Sequence, residues 1–228
     1  MIKNISNLGD SAIYCDFGSE VNETINANVI DCFNHLTFLT KEKKIQGINN
    51  LTPSYNKLII SFDLSLTNFS KLKEIIENVD IIKNIKKDNQ KIKIPVCCDD
   101  SYGLDFERLS KRLNLSKAEI LSFFFEKEYF CYMTGFIAGM PFLGDVNKKI
   151  RFKRLETPRV KVPKGSVGIT EQFANIYTYE SPGGWNIIGN TPKKIFKKLK
   201  LENPALIKPG DKVIFYRISK EEYLKFND

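Results

Sequence analysis

The chain has 228 residues, 42% hydrophobic and 27% charged, which is the make-up of a globular protein with enough length for one large domain or two small ones. No apolar run approaches the roughly 18 residues needed to span a bilayer, and Met1-Ile2-Lys3-Asn4-Ile5-Ser6-Asn7 has no h-region or small-residue cleavage site, so a cytoplasmic protein is expected. The formal charge of +8 is lopsided: residues 1–90 hold 10 Lys+Arg against 11 Asp+Glu, and residues 91–228 hold 25 against 16, so an anionic ligand or partner would meet the second part. His35 is the only histidine, which excludes a His-rich metal site. It sits in a helical pattern, where a structural role is expected. Cys15, Cys32, Cys97, Cys98 and Cys131 are odd in number and lack zinc-ligand spacing, so reduced thiols are expected.

Along the chain, Ile2–Leu8 and Ser11–Phe17 read as short strands joined at Gly9-Asp10. Asn22–Lys44 carries Val21, Ile25, Val29, Phe33 and Leu36 at near-helical spacing. Ile45–Thr52 and Lys57–Phe62 read as strands around Pro53-Ser54, and Phe69–Lys86 as a second helix with Leu72, Ile75, Ile76 and Val79 on one face. Asn68 and Ser70 are its candidate caps. Helices alternating with strand pairs predict a small α+β unit over residues 1–90. The polar run Lys86-Lys87-Asp88-Asn89-Gln90-Lys91 marks the boundary.

The second domain, 91–228, opens with a strand at Ile92-Lys93-Ile94-Pro95-Val96. Asp105–Leu113 and Ser116–Glu126 read as short helices, the second with a capping box, Ser116 and Glu119. From Tyr129 onward, β-branched and aromatic runs are broken by Gly139, Gly144, Pro158, Pro163, Gly165, Pro182, Gly189, Pro204 and Pro209, which predicts a barrel or sandwich of short strands.

Ser181-Pro182-Gly183-Gly184-Trp185, continuing to Ile188-Gly189-Asn190-Thr191-Pro192, stands out. It holds the only tryptophan. Pro182 suits a type II turn, with Gly183 or Gly184 at the positive φ this turn needs. Such a corner either floors an anion or substrate pocket or is a hairpin bend. Trp185 either stacks on a flat substrate or fills the barrel. Asp99, Asp100 and Asp145 read as solvated loop residues, and no carboxylate pair is placed for acid–base work. The basic stretch Lys148, Lys149, Arg151, Lys153, Arg154, Lys161 and Lys164 raises nucleic acid as a partner, but no nucleic-acid fold accompanies it.

Three ordered blocks carry a resemblance: Gly135-Phe136-Ile137-Ala138-Gly139-Met140-Pro141-Phe142-Leu143-Gly144, Thr157 through Ile169, and Ser181 through Pro192. With Gly9-Asp10-Ser11-Ala12 near the start and Pro209-Gly210-Asp211-Lys212-Val213 near the end, they resemble the KipI / allophanate hydrolase subunit 1 family. The resemblance implies a ferredoxin-like α+β N-terminal domain followed by a mainly-β, cyclophilin-like barrel domain. It implies the role of the B subunit in an ATP-dependent 5-oxoprolinase, acting with the C subunit (KipA / allophanate hydrolase subunit 2 type) and the A subunit of that enzyme. A KipI-like histidine kinase inhibitor and an allophanate hydrolase or urea amidolyase-related subunit are its alternatives. The co-substrate implied is ATP with magnesium, held here or in a partner.

Within that resemblance Arg159 and Ser181 are the candidate catalytic residues: the guanidinium fork suits a carboxylate or phosphate, and the hydroxyl can donate to an oxyanion. Gly135, Phe136, Lys164, Gly165, Ser166, Pro182, Gly183, Gly184, Trp185 and Thr191 are the candidate substrate or nucleotide contacts. Lys164-Gly165-Ser166 lacks the spacing of a P-loop. Phe124, Phe173 and Asn190 fall where the family pattern usually has polar or basic groups, and no metal site is expected.

Overall fold

The computed structural model describes residues 2–78, 89–199 and 203–227. Contacts divide the chain into two compact units, Met1–Asp88 and Asn89–Asp228.

In the first unit, strands β1 (Asn4–Asn7) and β2 (Ala12–Asp16) form a hairpin that turns at Gly9, whose φ is +62°. Helix α1 (Glu23–Lys41) follows, capped by the Asn22 side chain, which accepts from the Ile25 amide at 2.9 Å. Strands β3 (Ile48–Pro53) and β4 (Lys57–Phe62) and helix α2 (Phe69–Asn78) complete it. Asn68 caps α2 by accepting from the Lys71 amide at 3.0 Å; residues 79–86 of the predicted helix, Val79 among them, lie outside the described residues. Strict alternation along β4 sends Leu58, Ile60 and Phe62 into a core with Val29, Cys32 and Leu36 from one stripe of α1 and Leu72 and Ile76 from α2. His35 is buried in α1, and all five cysteines are buried and free.

The fold differs from the expected ferredoxin-like domain ahead of a cyclophilin-like barrel. The sheet order is β1-β2-β4-β3 with every adjacent pair antiparallel, so the edge beside β2 is filled by β1 through a hairpin, not by a strand following α2. The chain is mainly β, and its largest sheet is a closed barrel of seven strands. Alternation of helices and strands gives element types but carries no information on which edge a strand takes, and a tight turn such as Gly9-Asp10 favours the neighbouring position.

The second unit begins with β5 (Lys91–Cys97), α3 (Phe106–Leu113) and α4 (Lys117–Phe125); the capping box of α4 forms as the spacing predicts. Then come β6 (Glu128–Thr134), β7 (Pro141–Gly144), β8 (Arg159–Val162), β9 (Ser166–Thr170), β10 (Phe173–Ile176), β11 (Ser181–Gly183), β12 (Asn186–Asn190), β13 (Lys212–Ile218) and α5 (Lys220–Leu224). The barrel runs β10-β7-β6-β13-β5-β12-β9 and closes through β9 and β10; β5 and β13 are parallel, and the other pairs are antiparallel. Ile94, Val96, Leu143, Val167, Ile169, Ile176 and Ile188 fill it, joined by Phe106 and Leu109 of α3 and Ile120 and Phe124 of α4. Among the described residues no helix is long and apolar enough to cross a membrane.

Candidate functional site

Most of the sequence-predicted site residues fall in two places on the second unit. The first is a two-stranded ribbon of β8 and β11, set outside the barrel sheet, in which Gly183 stands opposite Arg159 and Ser181 opposite Val162. The second is the cleft beside Lys164-Gly165 and Thr191.

At the ribbon, Arg159 is held by Asp105, the residue just before α3. Asp105 is 4% exposed; its Oδ1 accepts from Arg159 Nη2 at 2.7 Å and its Oδ2 from the Ile187 amide at 2.6 Å. The Asp105 amide donates in turn to the Ile187 carbonyl at 3.0 Å. One buried carboxylate thus fixes both the arginine and the start of β12 through charge-assisted hydrogen bonds. Arg159 Nη1 is buried without an acceptor, a condition that costs about 1–3 kcal/mol unless a ligand supplies one. Arg108 donates to the Asn186 side chain, which also reaches the Lys153 and Ile169 carbonyls.

The two corner glycines serve space and not turn geometry. Neither has positive φ, so the predicted type II turn does not form. A Cβ at Gly183 would lie 2.2 Å from the Tyr177 hydroxyl, and one at Gly184 3.1 Å from Nε and Nη2 of Arg154. The Tyr177 phenol, Arg154 and Arg159 therefore gather around the corner. Burial pushes the phenol's pKa up, opposed by the Trp185 backbone and the charges of Arg154 and Arg159. Ser181 Oγ makes only a 3.4 Å contact with the Pro182 carbonyl, and Pro182 is exposed. Trp185 is half-buried and meets Phe142 edge-on, centroids 5.6 Å apart at 75°, so it packs at the corner instead of filling the barrel.

The cleft, about 210 Å³, is lined by Lys164, Gly165, Thr178, Thr191, Lys193 and Lys194, with Tyr177, Pro192, Ile195 and Tyr223 as walls. Its rim is locked. Gly165, at φ +82°, donates its amide to the Tyr177 carbonyl at 2.7 Å and accepts from the Thr191 amide at 2.8 Å. A Cβ there would lie 2.5 Å from both the Asn190 side-chain oxygen and the Thr191 carbonyl, so glycine is required. Asn190, 4% exposed, donates to the Lys164 carbonyl at 2.9 Å and accepts from the Tyr223 hydroxyl at 2.9 Å, tying the loop to α5.

Three predicted contacts lie elsewhere. Ser166 is 1% exposed within β9 and does not line the cleft. Gly135 and Phe136 form the β6–β7 connection, where Phe136 has φ +68° and is 69% exposed. That connection is bound to the cleft wall by Thr178 Oγ1, which donates to the Ala138 carbonyl at 2.7 Å. Phe124 is fully buried against Tyr129 and Phe215, centroids 5.3 and 5.0 Å away, and Phe173 packs edge-on against Tyr132, so both aromatics serve packing.

Asp105, Tyr177, Lys193 and Lys194 join the site without a sequence signal of their own. A charged residue just ahead of an amphipathic helix reads as a cap, yet Asp105 makes no cap hydrogen bond. Lys193-Lys194 follows Thr191-Pro192 directly, and only the fold shows that both line the same cleft as Lys164. Asp99, Asp100 and Asp145 each have a partner: Lys220 with Ser101, Lys117, and Gln172. Among the described residues no three His, Cys, Asp or Glu side chains converge on a metal position.

An arginine corner and a lysine cleft have the chemistry to hold a planar carboxylate and a compact oxyanion, while the described residues around them include no paired carboxylates for proton transfer. Fold and site together define a closed-barrel protein with a basic corner and a basic cleft. Residues 3–207 match the family described as carboxyltransferase domain, subdomain C and D, and the chain belongs to that family, in agreement with the KipI / allophanate hydrolase subunit 1 motifs. It is 32% identical over 236 residues to the B subunit of 5-oxoprolinase from Bacillus subtilis (strain 168), covering 98% of this chain and 96% of that protein. It is 33% identical over 171 residues to the B subunit of 5-oxoprolinase from Haemophilus influenzae, covering 75% and 76% of the two chains. The crystal structure of TTHA0988 superposes with a TM-score of 0.80 at 27% identity, covering 92% of this chain and 40% of that one.

Proposed function

We propose that this chain is the B subunit of an ATP-dependent 5-oxoprolinase, a non-autonomous part of a hydrolase that opens 5-oxo-L-proline to L-glutamate together with its A and C subunits. The observation that carries this reading is the 32% identity to the B subunit of a 5-oxoprolinase across nearly the whole of both chains. The site's character supports it. Among the described residues the chain offers groups that bind and orient anions but no histidine or carboxylate pair at the corner or cleft, which suits a polypeptide whose chemistry is completed by others.

In this reading ATP is the co-substrate, and magnesium travels with it. ATP supplies activation of the unstrained lactam carbonyl by phosphorylation of its oxygen. Arg159, aimed by Asp105 and with its side chain partly exposed, takes the substrate carboxylate beside Tyr177 and Arg154. Trp185 and Gly183-Gly184 shape the approach. The partners are the C subunit, of the KipA / allophanate hydrolase subunit 2 type, and the A subunit.

The test is phosphate release dependent on 5-oxoproline, in a mixture of this chain with its A and C partners. Omission of this chain abolishes turnover, and Arg159→Lys, which keeps the charge but loses the planar fork, lowers kcat/KM by about 10–100-fold. Turnover that is equal with and without this chain would falsify the reading.

A further inference from the structure

We propose that the cleft between Lys164 and Lys193-Lys194 is a phosphoryl-binding site. This deepens the functional reading and rests on it only for the source of the phosphoryl group.

Three lysines line the cleft, and among the described residues its lining includes no Asp or Glu. Lysine is a compact point charge that suits a tetrahedral oxyanion, whereas the planar carboxylate is matched by the guanidinium fork of Arg159. The two anion types thus have separate places on one unit. Lys164 Nζ stands 5.9 Å from the Tyr179 ring centroid, and Lys193 Nζ lies 3.4 Å from the Lys93 carbonyl.

A neutral donor adds direction. Thr191 lines the cleft, is 3% exposed, and its Oγ1 accepts from the Lys193 amide at 3.2 Å, so its hydroxyl proton remains free for a bound oxyanion to accept. The Gly165–Thr191 and Asn190–Lys164 bonds hold the rim in place before any ligand arrives. At about 210 Å³ the space is below the roughly 300 Å³ at which pockets for drug-sized ligands begin, so it takes a phosphoryl group and not a whole nucleotide.

The experiment is calorimetric titration of the purified full chain, in a low-salt buffer free of phosphate, with inorganic phosphate, pyrophosphate, ATP and, as control, acetate. One-to-one binding of phosphate and pyrophosphate is expected, with no binding of acetate. Lys193→Met with Lys194→Met weakens pyrophosphate at least 10-fold, and Thr191→Val weakens it severalfold without changing charge. Lys149→Met, at a lysine that stands over the Phe123 ring and outside the cleft lining, leaves it unchanged. ATP tighter than phosphate points to a nucleotide tail as the source; phosphate tighter than ATP points to the released product. The proposal is overturned if phosphate and pyrophosphate give no binding, if acetate binds as well as phosphate, or if Lys149→Met weakens binding as much as the double variant. The assay needs no partner protein, so its failure and a failure of turnover are separate results.

Discussion

Asp105 and Arg159 meet in a 2.7 Å ion pair whose carboxylate side is buried and whose second oxygen is committed to the Ile187 amide. Removing the carboxylate leaves a part-buried guanidinium without its counter-charge and the Ile187 amide without its acceptor. Asp105→Ala is expected to cost about 3–5 kcal/mol, the usual loss on breaking one side of a buried pair. Denaturant unfolding checks it, and a loss under about 1 kcal/mol would mean the pair is solvated and not structural.

Gly183→Ala is expected to destabilise by about 1–3 kcal/mol, as overpacking does. The added methyl would lie 2.2 Å from the Tyr177 hydroxyl and 2.8 Å from its ring carbon. Tyr177 cannot retreat freely, because its carbonyl accepts from Gly165 and its amide donates to Ser166. Tyr177→Phe in the same chain removes the nearer atom and should restore part of the loss, which thermal melts of the single and double variants would reveal.

Four of the five thiols, Cys15, Cys32, Cys98 and Cys131, should be inert in the folded protein. Burial raises Cys15, Cys32 and Cys98 to about 12 and Cys131 further, so little thiolate exists at pH 8. Reaction with an aromatic disulfide reagent at pH 8 is expected to be at least about 100-fold slower than after unfolding. More than one rapidly reacting equivalent in the native state would contradict this.

Asp99 gives an acid-side dependence. The Ser101 hydroxyl and amide, then the Lys220 ammonium, hold its carboxyl at about 2 against an ordinary 3.8. A folded value below the unfolded one stabilises above pH 3.8, and that gain is lost as pH falls through about 2. The melting-temperature gap between the parent chain and Asp99→Asn should therefore be constant from pH 7 to 5 and close near pH 2. A gap that widens on acidification would reverse the assignment.

Periodicity is enough to place α1 and the strand pairs, and a capping box to place α4, because these signals are local: Ser116 caps as its spacing requires. Sheet order is not local. The Gly9-Asp10 turn favours β1 beside β2, but nothing in the sequence says that no strand after α2 takes that edge instead, which is why the expected topology fails. Arg159 and the Gly183 corner are visible as motif residues, but Asp105 is not, since its partner lies 54 residues away. Phe124 reads as a missing polar group, whereas the fold makes it a contact of Tyr129 and Phe215. The positive φ expected at Gly183 or Gly184 is found at Gly165, where Asn190 and Thr191 press closest.

Strand β13 lies parallel to β5, with Lys212 opposite Lys91, and also borders β6. The barrel ring is thus completed by the strand that is translated after its other six. Until residues 212–218 emerge, β5 and β6 each keep a bare edge, and the nascent second unit is open to strand invasion while the β1–β4 sheet, complete by residue 62, can already have formed.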